Sequence, residues 1–533
     1  VMIPGNEPSR DGFVGITTVT RQQWLSFLRV MGRDDLLEDE GIATFIGRFA
    51  RAAEVNDVIH EWTTARTAEE IVELCTEARV PAAVVGNGAT LPHVPQLIAR
   101  DAIVEQPGAS FVRPRAPFRF SAVADRAMVP APRLGQHSAD APWSGFGVAA
   151  PGDRGAGDAK AGERPLDGVR VLDFTAFWAG SFATAWLVAM GADVLKVESV
   201  QRPDGIRFSA AVSPKDDPEH FEKSALFHAC NLGKRSITLD LGHPDGRRLA
   251  RQLVERVEVV TENFTPPVMD GFGLSYDEVA AVNPDVVMLR LPAFGLEGPW
   301  RNRPGFAQTM EQLTGMAWLT GYTGGPPIIP GGFVDPLVGT HAALALIAAL
   351  DHRDRTGEGQ LVEMPMIEVA AAVTGEQIVE HSAYRALLGR RGEHGVYPCE
   401  GDEAWVAVDE SRDPMSPDDR AAWCATRTAD AAARELLAEG VPAAAMVPGY
   451  ATLDDPQLRA RGFFQSVSHA SVGEHEFPGF PMRFSSRPRG DWWPGPAPRL
   501  GEHTQEVLRG ELGLAVADID RLTAEQVIGT RPV

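Results

Sequence analysis

The stretch "GGFVDPLVGTHAALALIAAL" (331–350) sets one carboxylate, Asp335, in otherwise apolar, glycine-rich surroundings. Such an acid either starts a helix or does chemistry. The local pattern favours a helix start. Asp is a preferred N-cap, Pro336 suits the first helical position, and Leu337, Leu344, Ile347 and Leu350 recur at helical spacing. His341, about a turn and a half further on, reads as a packed helix residue rather than a base. Four scattered cysteines (Cys75, Cys230, Cys399, Cys424) fit reduced structural thiols, with no CxxC metal site.

The elements that must position Asp335 lie mostly upstream. "VRVLDF" (169–174) has the pattern of a buried strand, "FATAWLVAMG" that of a short helix closed by Gly191, and "ADVLKVE" (192–198) that of a second strand. "RSITLDL" (235–241), "VEVVTENF" (257–264) and "DVVMLRLPAFG" (285–295) add three more, with "HPDGRRLARQLVER" a helix among them. Alternating strands and helices predict an α/β fold, a doubly wound parallel sheet whose ligands sit at the carboxyl ends of the strands. The first loop lacks GxGxxG, which argues against a dinucleotide site.

The chain has 533 residues, 44% hydrophobic and 23% charged, so two or three domains with proper cores are expected. A net charge of −22 argues against a general nucleic-acid binder but leaves room for a polyanionic small ligand in a local pocket. No run approaches eighteen apolar residues and the first residues carry no signal pattern, so no membrane is expected and the cytoplasm is the default. An internal repeat organises the chain. "ARTAEEIVELCTEARVPAAVVGNGATLPHVPQLIAR" (65–100) aligns without a gap on "TRTADAAARELLAEGVPAAAMVPGYATLDDPQLRAR" (426–461). Residues 1–140 read as the end of a first copy, 141–165 as a flexible linker, and 166–394 as the large domain of a complete second copy. Residues 395–485 read as its small domain and 486–533 as a returning C-terminal segment.

Several ordered motifs now carry a resemblance. "LDGVRVLDFTAFWAGSFATAWLVAMGADVLKVES", "NLGKRSITLDLGHPDGRRL", "VVTENFTPPVMDGFGLSYDEVAAVNPDVV", "AFGLEGPW" and "RTGEGQLVEMPMIEV" together resemble the class III CoA-transferases, the family of formyl-CoA transferase, carnitine CoA-transferase and α-methylacyl-CoA racemase. The resemblance implies a Rossmann-like large domain, a smaller α+β domain, and two such units interlocked as a dimer, or here a pseudo-dimer. The partner would be a second copy or a chain supplying the first large domain. It implies acyl-CoA:carboxylate CoA transfer with coenzyme A as the substrate-borne group and no metal.

It also maps roles onto residues. Asp335 takes the place of the nucleophilic aspartate, which forms an acyl anhydride and then an enzyme thioester. A helix start there would keep Asp335 ionised. Trp178 and Ala179 would lie beside the pantetheine and thioester, and Leu239, Asp240, Leu241, Asn263, Phe264 and Thr265 along the nucleotide. Lys234 and Arg235 are candidate phosphate partners, and "LLGRRGEHG" (387–395) a candidate lid. Ser199 and Gly271 stand where the family carries arginines, with Arg202, Arg301 or Arg303 as possible substitutes. Phe306 and Ala307 replace the racemase His–Asp pair, which removes proton exchange at the α-carbon. The rival reading is a non-catalytic or regulatory chain that scaffolds an active partner.

Overall fold

The computed structural model of the chain describes residues 3–125, 127–138, 164–209, 217–390, 394–485 and 492–533. The linker 141–165 falls almost wholly outside the described residues, as does the centre of the 387–395 loop.

Six short strands rich in Val, Leu and Ile pair in parallel, which buries them on both faces. They are Arg170–Asp173, Asp193–Glu198, Arg235–Thr238, Val259–Glu262, Val287–Arg290 and Gln360–Glu363. Numbered along the chain, their order across the sheet is 6-5-4-1-2-3. The direction of winding therefore reverses between Arg170–Asp173 and Val259–Glu262, which are direct neighbours. In open α/β sheets, ligands bind beyond the carboxyl ends at such a reversal. The sixth strand is not among those the sequence predicts: "QLVE" has two aliphatic residues between a Gln and a Glu and lacks the apolar run of the others. Beyond it, Arg119–Phe120 from the first segment adds an antiparallel seventh strand, again unforeseen.

Alternate side chains of each strand feed two cores. On one face Val171, Val194, Val287 and Val362 pack with helices Ala179–Ala189, Val334–Thr356 and Met366–Val373. On the other, Leu172, Leu195, Ile237 and Met288 pack with Pro244–Val254, Tyr276–Val282, Thr504–Gly510 and Val516–Ala524. The C-terminal residues thus return to the large sheet, where Asp240 N–H donates to the Val527 carbonyl at 2.8 Å.

The buried face of helix Val334–Thr356 matches the expected one in part. Leu350 is buried and Leu337 and Ile347 pack against the core, but Leu344 is 65% exposed, and the face is completed by Val334, Val338, Ala342, Ala345, Leu346 and Ala349. Close approach explains the preference for small residues. A Cβ on Gly339 would come within 2.8 Å of the Ala179 carbonyl and 3.1 Å of the Ala183 nitrogen. By length and composition alone this helix passes for a membrane span, contrary to the sequence reading, but half of its apolar window is buried against the neighbouring helices.

The repeated segments fold alike. Helix Ala68–Glu77, strand Ala82–Val84 and helix Pro95–Ala99 recur as Ala429–Ala438, Ala443–Ala445 and Pro456–Ala460. Each strand closes a three-stranded antiparallel sheet. The two stretches have separate apolar cores, one around Trp24, Ile59 and Ile71, the other around Val406, Cys424 and Leu436. The first segment grips the large sheet firmly. Arg100 is wholly buried between Glu363 (2.9 Å) and Glu368 (2.5 Å), and Gln96 donates to the Phe294 and Glu297 carbonyls.

Under the loop that follows the first strand lies a buried ionic cluster. Asp173 accepts from Thr175, Thr184 and Lys234, and Lys196 reaches Asp204 (2.9 Å) and the Thr175 carbonyl (2.8 Å). Burial works against the Asp173 charge, but Lys234 and Lys196 outweigh it and hold the carboxyl down at about 2. Lys234→Met leaves that carboxylate buried without its closest cation. Urea unfolding at pH 7 should show a loss of about 3–5 kcal/mol, shrinking on acidification as Asp173 takes up a proton.

Candidate active site

Two helix starts meet at the carboxyl ends of the strands. The loop Thr175–Trp178 leads into helix Ala179–Ala189, and the glycine turn at 331–332 leads into helix Val334–Thr356. The first loop is tied at every step. Asn263 bridges it, its amide donating to the Ala176 carbonyl (2.7 Å) and its Oδ1 accepting the Ala176 N–H (2.8 Å). Phe177 N–H donates to Asp204, and Phe177 is held at φ +59°, a conformation that side chains other than glycine avoid. Its ring meets Phe306 edge-on at 5.3 Å.

The second turn needs its glycines. Gly331 and Gly332 have φ of +101° and +106°, and a Cβ on Gly332 would stand 3.3 Å from the Trp178 ring and 3.5 Å from Gln308 Nε2. Trp178 therefore lies directly against the backbone that precedes Asp335.

Asp335 is not the cap. The helix begins one residue before it, with Phe333 at the N-cap, Val334 first and Asp335 second, its own N–H donating to the Gly332 carbonyl at 3.2 Å. The amides of the glycine turn before the helix, and the first helical amide, are instead taken by Glu311, a fully buried residue of helix Ala307–Leu313. Its carboxylate accepts from the N–H groups of Gly332 (2.8 Å), Gly331 (3.1 Å) and Val334 (3.4 Å). Among the described residues, nothing donates to the Asp335 carboxylate. It keeps some accessible surface, yet protein surrounds it. Burial first, and the neighbouring Glu311 charge second, push it up to about 8. The expectation that a helix start keeps this acid ionised is thus overturned: burial and the neighbouring Glu311 charge outweigh the helix start, whose first amide goes to Glu311.

Other expected contacts fall in distinct places. Ala179 is buried at the start of its helix and Trp178 is half-buried. Asn263, Phe264 and Thr265 are half-buried at the end of the fourth strand, where Phe264 also touches the second core. Leu239 and Leu241 are core residues, so only their backbone and the half-buried Asp240 face outward at that strand end. Lys234 is committed to Asp173, Thr184, Asn231 and the Ser181 carbonyl. Arg235 pairs with Asp193 (2.6 Å) and Glu511 (2.7 Å). These two cations hold the fold together rather than stand free for a phosphate. Gly271 faces open space, Arg202 is exposed, and Arg303 stacks on Trp300 at 4.4 Å. His341 donates its ring N–H to the Leu337 carbonyl (2.8 Å), as a packed helix residue does. Of the 387–395 loop, Arg390 is anchored on the Trp318 and Gly325 carbonyls, while 391–393 lie outside the described residues.

Comparison with known proteins identifies relatives in sequence and fold. The CoA-transferase family III model matches residues 8–138, 166–418 and 409–504. The succinyl-CoA–D-citramalate CoA-transferase of Chloroflexus aurantiacus is 31% identical over 404 residues, 68% of this chain and 98% of that protein. A probable CoA-transferase of Mycobacterium tuberculosis is 28% identical over 574 residues, 98% of this chain and 70% of its own length. A CAIB/BAIF family protein from Brucella suis, solved by crystallography, superposes with a TM-score of 0.56 at 28% identity, covering 66% of this chain and all of its own. Matched over most of its length and in fold, the chain belongs to CoA-transferase family III and is a CoA-transferase.

Proposed function

We propose that the chain moves CoA between an acyl-CoA and a free carboxylic acid, with Asp335 as the covalent carrier. One observation carries this reading: a carboxylate that is partly accessible, at the strand ends, beside Trp178 and a glycine turn, and with no hydrogen-bond partner of its own among the described residues. In the first step the ionised Asp335 oxygen attacks the acyl carbonyl. A C–O bond forms, the C–S bond breaks, and CoA leaves as thiolate. The thiolate then attacks the aspartyl carbonyl, giving an enzyme thioester and expelling the donor acid. The acceptor carboxylate attacks that thioester in turn, and the thiolate returns to the new acyl group and frees Asp335. Four acyl transfers of moderate barrier replace one difficult exchange.

The ordinary helix-start stabilisation of an oxyanion is only partly open here, since Glu311 holds the first helical amide, at Val334, and the two of the glycine turn before it. Trp178 and Ala179 would flank the thioester. The backbone at 239–241 and the side chains of Asn263, Phe264 and Thr265 would lie along the nucleotide, at the reversal point of the sheet.

A partner domain belongs to the same reading, and two equivalent faces support it. In the first segment Ala83 and Val85 are buried, because Gly86 and Gly88 pack on Leu313 and Gln377 of the large sheet's helices. Their counterparts in the repeat lie bare: Ala444 is exposed, Met446 is 51% exposed and Tyr450 nearby is 74% exposed. A second large domain would cover that face as this one covers the first, in an interlocked arrangement.

Incubation with a panel of acyl-CoAs followed by hydroxylamine should leave a hydroxamate at position 335. Asp335→Asn should lose transfer by roughly 10³-fold or more while melting cooperatively. A scaffolding chain would give no adduct and be unaffected. Native mass measurement should find this chain with an additional large domain or partner. A stable, active monomer would remove the interlocked arrangement.

A further inference from the structure

We propose that Glu311 is a positioning residue for the transfer reaction: by occupying the amides of the glycine turn and of the first residue of the Asp335 helix, it fixes that turn and places its charge where it governs when Asp335 is free to attack. The inference rests on the covalent role of Asp335 proposed above.

The geometry is specific. Glu311 is wholly buried, yet it has no cationic partner among the described residues, and its three contacts are all backbone N–H groups of the turn and first helical residue. An acid at a helix start gains from those amides and from the helix dipole. Here the gain goes to Glu311, and Asp335, one residue further on, meets a buried anion instead. Two carboxylates that share one site ionise together only at a cost.

The helix that carries Glu311 is itself clamped from behind by the first segment. Gln312 donates to the Gly5 carbonyl (3.2 Å), Gly86 N–H donates to the Gln312 carbonyl (2.9 Å), and Thr17 donates to Gln312 Oε1 (3.4 Å). A Cβ on Gly15 would fall on the Gln312 side chain. Residues 3–90 thereby set where Glu311 stands.

Other charges around the Asp335 helix are accounted for. His341 lies on the helix itself, and Cys230 lies on helix Ala225–Asn231. Lys196 with Asp204, and Lys234 with Asp173, are paired beneath the adjoining loop. Arg290 pairs with Glu262 on the strands below. Glu363 and Glu368 are neutralised by Arg100 and Arg115. Glu311 is the neighbour whose charge acts on Asp335. The consequence is a carboxyl that holds its proton at neutral pH and releases it to solvent before attack. The resulting carboxylate is more basic, hence more nucleophilic, than an ordinary aspartate.

The test compares parent, Glu311→Gln, Asp335→Asn and the double variant. In the parent, an acid raised from its unfolded value near 4 to about 8 contributes stability that is complete below pH 4 and is lost as pH rises from 4 to 8. Asp335→Asn removes that slope, so its advantage in melting temperature should grow between pH 5 and pH 8 and then level. Glu311→Gln, which keeps an oxygen on the turn without the charge, should move the end of this window down by about one pH unit, a tenfold change in the ionised fraction at fixed pH. In the Asp335→Asn background the same substitution should leave no such shift. Acyl-enzyme formation should follow, its pH midpoint falling equally. A Glu311→Gln variant with the parent's midpoint in both profiles overturns the proposal and leaves Glu311 a simple cap. Should Glu311→Gln not fold, Glu311→Asp serves: it keeps the charge, so the high midpoint should persist, and a fallen midpoint overturns the proposal. The melting profiles read Asp335 without any turnover, so a failed acyl adduct refutes the covalent role separately from Glu311.

Discussion

The structure turns on competition between two carboxylates for one helix start. Backbone N–H groups at the first turn of a helix are unpaired donors, and whichever acid takes them is stabilised as an anion. Glu311 takes the first of them, at Val334, together with the two amides of the glycine turn just before the N-cap, from a helix anchored by a different part of the chain. Asp335 is left accessible, unsolvated by the protein and next to a negative charge. Burial and that neighbouring charge together set Asp335 apart from Glu311, which reaches the amides.

The rest of the fold sets that competition in place. The strand order brings the first and fourth strands side by side, so that the loops after Asp173 and Glu262 emerge together and Asn263 can tie the first loop through two backbone bonds. Beneath it, Asp173, Lys196, Lys234 and Asp204 form a closed set of buried charges whose members mostly serve each other. Lys234, a candidate phosphate partner in the sequence, is absorbed into that set, while Arg235 beside it pairs with Asp193 and Glu511. Small residues along helix Val334–Thr356 allow it to lie against Ala179 and Ala183, which brings the two helix starts within reach of Trp178.

Much of this was legible in the chain. Five of the six parallel strands stand out as runs of Val, Leu and Ile, and the repeat is unmistakable because helix Ala68–Glu77 and helix Ala429–Ala438 keep the same capping threonine, Thr67 and Thr428. The misses share a cause. Strand Gln360–Glu363 is made a strand by its neighbour Val287–Arg290, since "QLVE" has only two aliphatic residues between a Gln and a Glu and lacks the apolar run of the other strands. Asp335 looks like a cap because local pattern cannot see an acid arriving from 24 positions upstream. Glu311 in "AQTMEQL" shows one acid in a short helix and nothing more. Lys234 and Arg235 look free until Asp173, Asp193 and Glu511 are folded against them. Local propensity predicts elements, whereas the charge state of a site is decided by pairings far apart in sequence.

The account stands or falls on whether Asp335 carries CoA during turnover. Borohydride added during reaction with an acyl-CoA would reduce an aspartyl thioester to the alcohol, and peptide mass spectrometry would then find homoserine at position 335. The account predicts that conversion only when acyl-CoA is present. An intact aspartate at 335 in enzyme trapped while actively exchanging CoA would contradict it.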